Sequence, residues 1–333
     1  MTPLVRASHL AKSYAVGALF RRQTLRAVDD VSFGIESSET LGLVGESGSG
    51  KSTLGRMVIG LTQPTAGHVT VSGHTVGTMR DNERKALWRH AQMVFQDPHS
   101  SLDPRMTVYD ALAEPLRNFG IARGAEAKAR INQTLDACGL GMRAASRYPS
   151  EFSGGQRQRI GIARALIVRP RLVVADEPVS ALDVSIQAQI VNLLQDLKAE
   201  FGLTYLFISH DLAVVRHVAD RVAVMYRGRI VEISSAETLY ARPLHPYTQL
   251  LLRSVPIPEP KAEAARLARR VPNTADVAPT AGGCAFRARC PHAQLPICAE
   301  EEPPLSSRSG NHLVACHFAD GQRRQRPIER AVA

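Results

Sequence analysis

Residues 41–53 read LGLVGESGSGKST, and the fold turns on this stretch. Leu41 to Val44 is a short apolar run with the character of a buried strand, and LGRMVIGL after Thr53 can continue a helix. Between them lies G-x-x-x-x-G-K-S/T, in the strand-to-helix setting that motif requires. Gly45, Gly48 and Gly50 let successive backbone N–H groups turn inward on phosphate oxygens, and the helix N-terminus adds partial positive charge. Lys51 is placed to reach the terminal phosphates and Ser52 to ligate Mg²⁺, with Glu46, Ser47, Ser49 and Thr53 completing the loop. The stretch predicts an ATP site on an α/β core.

Upstream, AVDDVSFGIESSET alternates apolar and polar residues, which predicts antiparallel strands over residues 1–45, and HVTVSGHTV at 68–76 is a second β-like stretch. From about residue 97 to 168 the pattern turns helical, most clearly in AEAKARINQTLDACGL. Strand character returns in RLVVAD and LTYLFISH, separated by the long helical VSIQAQIVNLLQDLKAEFG, and this order suggests a parallel sheet. After Val255 the rise in Pro and Ala marks a linker, so the expected division is a nucleotide-binding domain over 1–255 and a tail over 256–333.

Two further stretches carry chemistry. RLVVADEP ends an apolar strand in adjacent carboxylates; Asp176 is placed to hold Mg²⁺, and Glu177 to orient or deprotonate water. FSGGQRQRIGIARAL offers a second phosphate-binding helix end, with Ser153 as N-cap and Gly154 and Gly155 leaving N–H groups open beside Gln156. Two such ends in one chain serve a single nucleotide only if the second comes from another subunit.

The chain has 333 residues, 44% hydrophobic, with a formal charge of +10 and no run of the ~18 apolar residues that a membrane span needs. Any membrane role is therefore peripheral. The opening MTPLVRASHLAKSY has no signal-peptide core, which points to a reducing compartment and against disulfides. Of the five cysteines, Cys138 reads as a buried inert thiol, while Cys284, Cys290, Cys298 and Cys316 are spaced C-x5-C-x7-C-x17-C. Four thiolates suit tetrahedral Zn²⁺ or an iron–sulfur cluster. Tight pairs are missing, and wider gaps let the chain wrap a larger body, while both metals stay open; His292, His312 and His317 are alternative ligands expected to lie exposed.

The phosphate loop, Gln96 in MVFQDP, SGGQ at Ser153, VVADEP, SALD at Ser180 and His210 in FISHD occur in the order that resembles ATP-binding cassette (ABC) ATPases, over residues 1 to about 255. The resemblance implies a RecA-like parallel sheet, an antiparallel β subdomain, an inserted helical subdomain at about 97–168 and a Cys-rich tail. It implies that Tyr14, or Phe20 in the insertion AVGALFRRQT, stacks on adenine. By the same resemblance Gln96 is a Mg²⁺ and water ligand, His210 a switch histidine between γ-phosphate and catalytic carboxylate, and Asp183 a contact to the partner subunit.

QDPHSSLDPRMTV from Gln96, EPVSALDVSIQAQIVNLL from Glu177, YARPLHPYTQLLLRSVPIP from Tyr240 and the tail GGCAFRARCPHAQLPIC with ACH resemble the oligopeptide and dipeptide permease ATPases of bacteria, particularly the F-type subunit. Asp103 stands where that family commonly has Asn, and Phe152 where most ABC proteins have Leu. The resemblance implies an ATPase at the cytoplasmic face of the inner membrane. Its expected partners are a D-type ATPase in a heterodimer, two permease chains and an extracytoplasmic peptide-binding protein. Some resembling tails hold a 4Fe–4S cluster, which the resemblance favours here over Zn²⁺. Nickel or glutathione are alternative cargoes. A soluble ABC ATPase acting on nucleic acid or ribosomes is the rival of another class, but the second cassette, coiled coils or zinc-bearing insert usual there do not appear, and nucleic acid is not an expected partner.

Overall fold

The computed structural model describes residues 3–16, 23–77, 79–97, 102–254 and 282–319. Strands β3 (Thr40–Val44), β7 (Leu172–Asp176) and β8 (Thr204–Ser209) are buried along their whole length. Near-continuous apolar runs of this kind belong to parallel strands covered on both faces. With β6 (Ala91–Val94) and β9 (Arg221–Tyr226) they are ordered β9-β3-β8-β7-β6, and the pairs within that run are parallel. Val44 pairs with Ser209, Asp176 with Ile208, and Val94 with Ala175, so four carboxyl ends share one edge.

The helices follow from the same chain logic. α1 (Lys51–Val58) starts from Gly50, and α6 (Val184–Phe201) stops at Gly202, which takes the left-handed conformation that glycine tolerates. α2 (Asp81–His90), which runs into β6, was not legible as a separate element in the sequence. α3 (Val108–Asn118), α4 (Gly124–Ala137) and α5 (Gly154–Leu166) pack on one another and fall within the stretch read as helical. Cys138 caps α4, fully buried, and burial pushes its thiol up to about 12, so it is an inert core group. A separate antiparallel sheet, β2-β1-β4-β5, is built from β1 (Val5–Val16), β2 (Gln23–Ile35), β4 (Ala66–Val71) and β5 (His74–Val76). α7 (Leu212–Val218) is capped by Asp211, whose carboxylate accepts from Ala213 and Val214 N–H.

The chain forms two compact units, Met1–Arg229 and Ile230–Ala333. Within the second unit β10 (Arg229–Ser235) lies antiparallel to β12 (His312–Val314), with Glu232 opposite Val314, and β12 pairs in turn with β11 (Ser306–Ser309). Composition registers only where Pro and Ala accumulate, and that stretch lies outside the described residues. The second unit also holds α8 (Ala236–Ala241), α9 (Pro246–Ser254) and the single-turn α10 (Ile297–Glu300). Its small core centres on Tyr247 and Phe286, whose rings lie 5.4 Å apart in a tilted arrangement.

Candidate active site

The loop from Gly45 to Gly50 crosses from β3 to α1 against close neighbours. A Cβ on Gly50, at φ 105°, would meet the Ala27 carbonyl at 2.0 Å, and one on Gly45 would meet the Met225 carbonyl at 2.1 Å, so only glycine fits either position. No acidic residue occupies the first turn of α1, which leaves its N-terminus open to an anion. Lys51 is buried, and its ammonium donates to the carbonyls of Gly45 at 2.8 Å and Glu46 at 2.9 Å, and to Ser49 Oγ at 3.4 Å. Burial lowers its pKa, while Glu177, Asp176 and Glu46 oppose that shift and favour the charge.

One residue on, the Ser52 hydroxyl donates to Asp176 Oδ1 at 2.8 Å. Asp176 ends β7 and is only 3% exposed; burial raises its pKa, and the Ser52 hydrogen bond pulls the other way. Glu177 follows with φ 48°, an uncommon conformation for a side-chain-bearing residue, fixed by its N–H donating to the Ile208 carbonyl at 2.9 Å. This turn sends the two adjacent carboxylates to different partners. Glu177 Oε2 accepts from Gln96 Nε2 at 3.2 Å and lies 3.2 Å from His210 Nδ1. Lys51, Ser52, Gln96, Asp176, Glu177 and His210 thus converge where four parallel strands end.

The remaining expected site residues lie apart from this cluster. Ser153 caps α5 in a reciprocal box: its hydroxyl accepts from Gln156 N–H, and its own N–H donates to Gln156 Oε1 at 3.0 Å. Both side chains are exposed. Gly155 is buried, and a Cβ there would meet Ile186 Cγ2 at 2.5 Å, so the α5 to α6 approach depends on the missing side chain. This packing role was not read from the sequence, although a glycine inside a helical pattern is its signal. Asp183 is the exposed N-cap of α6, beside Val184 at 82% exposure. Tyr14 sits on β1 opposite Leu25, 40% exposed, with the Lys12 ammonium 5.2 Å from its ring centre. Phe20 lies outside the described residues.

In the second unit, Cys284, Cys290, Cys298 and Cys316 line one cavity of about 460 Å³. Each sulfur accepts a backbone N–H: Cys284 from Phe286 and Arg287, Cys290 from His292, Cys316 from Phe318, and Cys298 from Gln294 at 3.5 Å. Burial pushes the Cys284 and Cys316 thiols up and takes Cys290 to about 11. Even so, among the described residues no three His, Cys, Asp or Glu side chains stand together as a ready ligand set for a metal ion.

Of the three histidines expected to lie exposed, His292 does. His312 does not: it is 5% exposed, with Nε2 2.7 Å from Oε1 of the fully buried Glu232. An imidazole so engaged is a structural group. Glu232 also accepts the N–H groups of Leu244 and His245, and His317 Nε2 lies 3.0 Å from the Glu301 carbonyl. The Glu232 cluster was not anticipated from sequence, because one glutamate in an apolar strand carries no motif.

Comparison with known proteins agrees with this geometry. A family described as ABC transporter matches residues 28–180, and one described as Oligopeptide/dipeptide transporter, C-terminal region, matches residues 231–298. The oligopeptide transport ATP-binding protein AppF of Bacillus subtilis is 49% identical over 307 residues, covering 90% of this chain and 92% of AppF. YkfD of the same organism, which also carries an oligopeptide-transport ATP-binding name, is 49% identical over 321 residues and 95% of each chain. The chain belongs to the ABC transporter ATPases. Within that family, the solved dimeric ATP-binding cassette MJ0796, in a post-hydrolysis state with ADP and phosphate, is similar with a TM-score of 0.63 and 31% identity, over 70% of this chain and 98% of that one. The fold of this ABC ATPase is thus the cassette fold. No helix among its described residues is long and apolar enough to cross a membrane.

Proposed function

We propose that this ABC ATPase energises peptide import. The observation that carries the reading is the convergence of Lys51, Ser52, Asp176, Glu177, Gln96 and His210 at one sheet edge. The loop from Gly45 to Thr53 binds the phosphates of ATP, and the exposed ring of Tyr14 stacks on adenine. Lys51 exchanges its bonds to the loop carbonyls for bonds to phosphate oxygens. Ser52 Oγ, Asp176 and Gln96 hold Mg²⁺; a buried carboxylate with a hydroxyl at 2.8 Å is a hard-oxygen pair that suits this ion. Mg²⁺ supplies neutralisation of phosphate charge. Glu177 takes the proton of the attacking water, while Gln96 and His210 fix its carboxylate.

Ser153 to Gln156 act on the nucleotide of a second, similar subunit, with Asp183 at the shared face. The exposure of Ser153, Gln156 and Asp183 supports this reading, because Ser153 is spent on its own helix rather than on the loop of its own chain. The names of AppF and YkfD support peptide as cargo, with a D-type ATPase, two permease chains and a peptide-binding protein as partners at the cytoplasmic face of the membrane. Glu177→Gln tests the assignment: in the assembled transporter ATP stays bound while turnover falls by roughly 10²- to 10⁴-fold. Near-normal phosphate release would overturn it.

The four thiols hold a 4Fe–4S cluster. What supports this reading is that all four cysteines line one cavity and accept backbone N–H groups, which stabilise thiolates. The cluster supplies the cross-link that a small core lacks. Anaerobic purification with visible absorbance and metal analysis decides this. A colourless protein with one zinc, or one without metal, would overturn the assignment.

A further inference from the structure

β3, β7 and β8 carry the ATP-site residues at their carboxyl ends, and about 17–20 Å away the turns that lead into their amino ends line a second cavity. Its volume is about 350 Å³, near the lower bound of small-molecule pockets. Ser37 and Ser38 come from the turn before β3, Arg169 and Arg171 from the turn before β7, and Gly202 to Thr204 from the entry to β8. Its apolar wall includes Leu4, Leu166 and Leu203, all buried, and among the described residues no Asp or Glu lines it.

The polar groups at its rim, Ser37, Ser38, Arg169 and Arg171, are exposed and lightly engaged by other protein groups. Arg169 Nη2 meets only a neutral partner, Gln133 Oε1 at 3.3 Å, and the Arg171 side chain has no hydrogen bond or ion pair among the described residues. Ser38 Oγ makes a marginal 3.5 Å contact with the Gly202 carbonyl, and its N–H donates to Thr204 Oγ1 at 2.8 Å. The field here is positive: after burial, Arg169 is the chief cause that lowers the Arg130 pKa, and Arg171 contributes with His74 to lowering that of His90. Ser38 and Arg169 face the cavity from left-handed backbone, φ 63° and 54°, where Gly or Asn is the easier choice.

We propose that this cavity binds a phosphate monoester, with the Arg169 and Arg171 guanidiniums and the Ser37 and Ser38 hydroxyls on the phosphate and an apolar body against the leucines. Planar guanidinium forks match a tetrahedral dianion, and hydroxyls complete its acceptors. Such a ligand is either a soluble phosphate ester or a phosphatidic-acid headgroup. The site shares no residue with the ATP site, so it stands or falls independently of the proposed function.

The test uses the full chain saturated with Mg²⁺ and ADP, so that the phosphate loop is occupied. Phenyl phosphate is titrated calorimetrically, and vesicles of phosphatidylcholine with and without phosphatidic acid are sedimented with the protein. Saturable binding is expected in one of the two arms, which names the source. Arg171→Ala and Arg169→Asn each weaken it by about tenfold or more, and Arg171→Lys by less, because the charge stays while the fork is lost. Arg169→Asn should leave the thermal midpoint unchanged or higher, since asparagine tolerates that backbone better, which separates ligand binding from a structural role. No binding in either arm, or binding that both arginine variants leave intact, would overturn the proposal.

Discussion

At the carboxyl ends of β3, β7 and β8, buried polar groups meet partners of opposite character: Lys51 faces carbonyls and carboxylates, and Asp176 faces the Ser52 hydroxyl. Around the cavity of the second unit, by contrast, the lining includes four like groups, the thiols of Cys284, Cys290, Cys298 and Cys316. Like groups raise each other's pKa there, Cys298 acting on Cys284, and Cys316, Cys284 and Cys298 acting on Cys290, on top of the larger push from burial. The first arrangement is consistent with a rigid, preorganised site. The second keeps its thiols protonated, because burial opposes the charge on each of Cys284, Cys290 and Cys316. A parallel sheet can fix six side chains from distant parts of the chain, whereas the tail packs a much smaller core around Tyr247 and Phe286.

Removing a thiol breaks this contrast most sharply. Cys290→Ser should abolish metal content and open the tail to limited proteolysis, while ATP binding by the first unit is unchanged. Equal proteolysis of variant and parent would show that the tail core stands alone. Ser153→Ala comes next, with ATP binding by the isolated chain intact and hydrolysis in the complex down by roughly 10²- to 10³-fold, the cost of one anion-binding donor. An isolated monomer that hydrolyses ATP at full rate at every dilution would sink the in-trans role.

The pH response should separate the tail as well. His245 is buried, accepts the Tyr247 N–H on Nδ1 at 3.0 Å, and has its pKa lowered from the ordinary 6.5 to about 4, chiefly by burial. The unfolded chain therefore binds a proton that the folded chain refuses. Stability is fully present above pH 6.5 and falls as pH drops toward 4, by on the order of 3 kcal/mol for that interval. Thermal unfolding at pH 7 and pH 4.5 measures it, and His245→Gln should flatten the difference. The smallest effect is expected of Gly155→Ala. Its Cβ would meet Ile186 Cγ2 at 2.5 Å, costing about 1–3 kcal/mol of stability, read from urea unfolding.

The sequence by itself determined the phosphate loop, the carboxylate pair, the SGGQ helix end and the parallel core, because each is a local pattern in which strand, turn and helix are contiguous. It also marked the four tail cysteines by spacing alone. Tertiary structure decided the rest. Gln96 and His210 meet Glu177 only because β6 and β8 flank β7 in one parallel register. The thiols share a cavity only because residues 284 to 316 fold back on themselves. His312 is buried rather than exposed because Glu232, 80 residues earlier in the chain, reaches it through the pairing of β10 with β12. Spacing in a sequence fixes what neighbours along the chain can do, but which strand ends become neighbours in space is set by sheet order, and that is a property of the packed core as a whole.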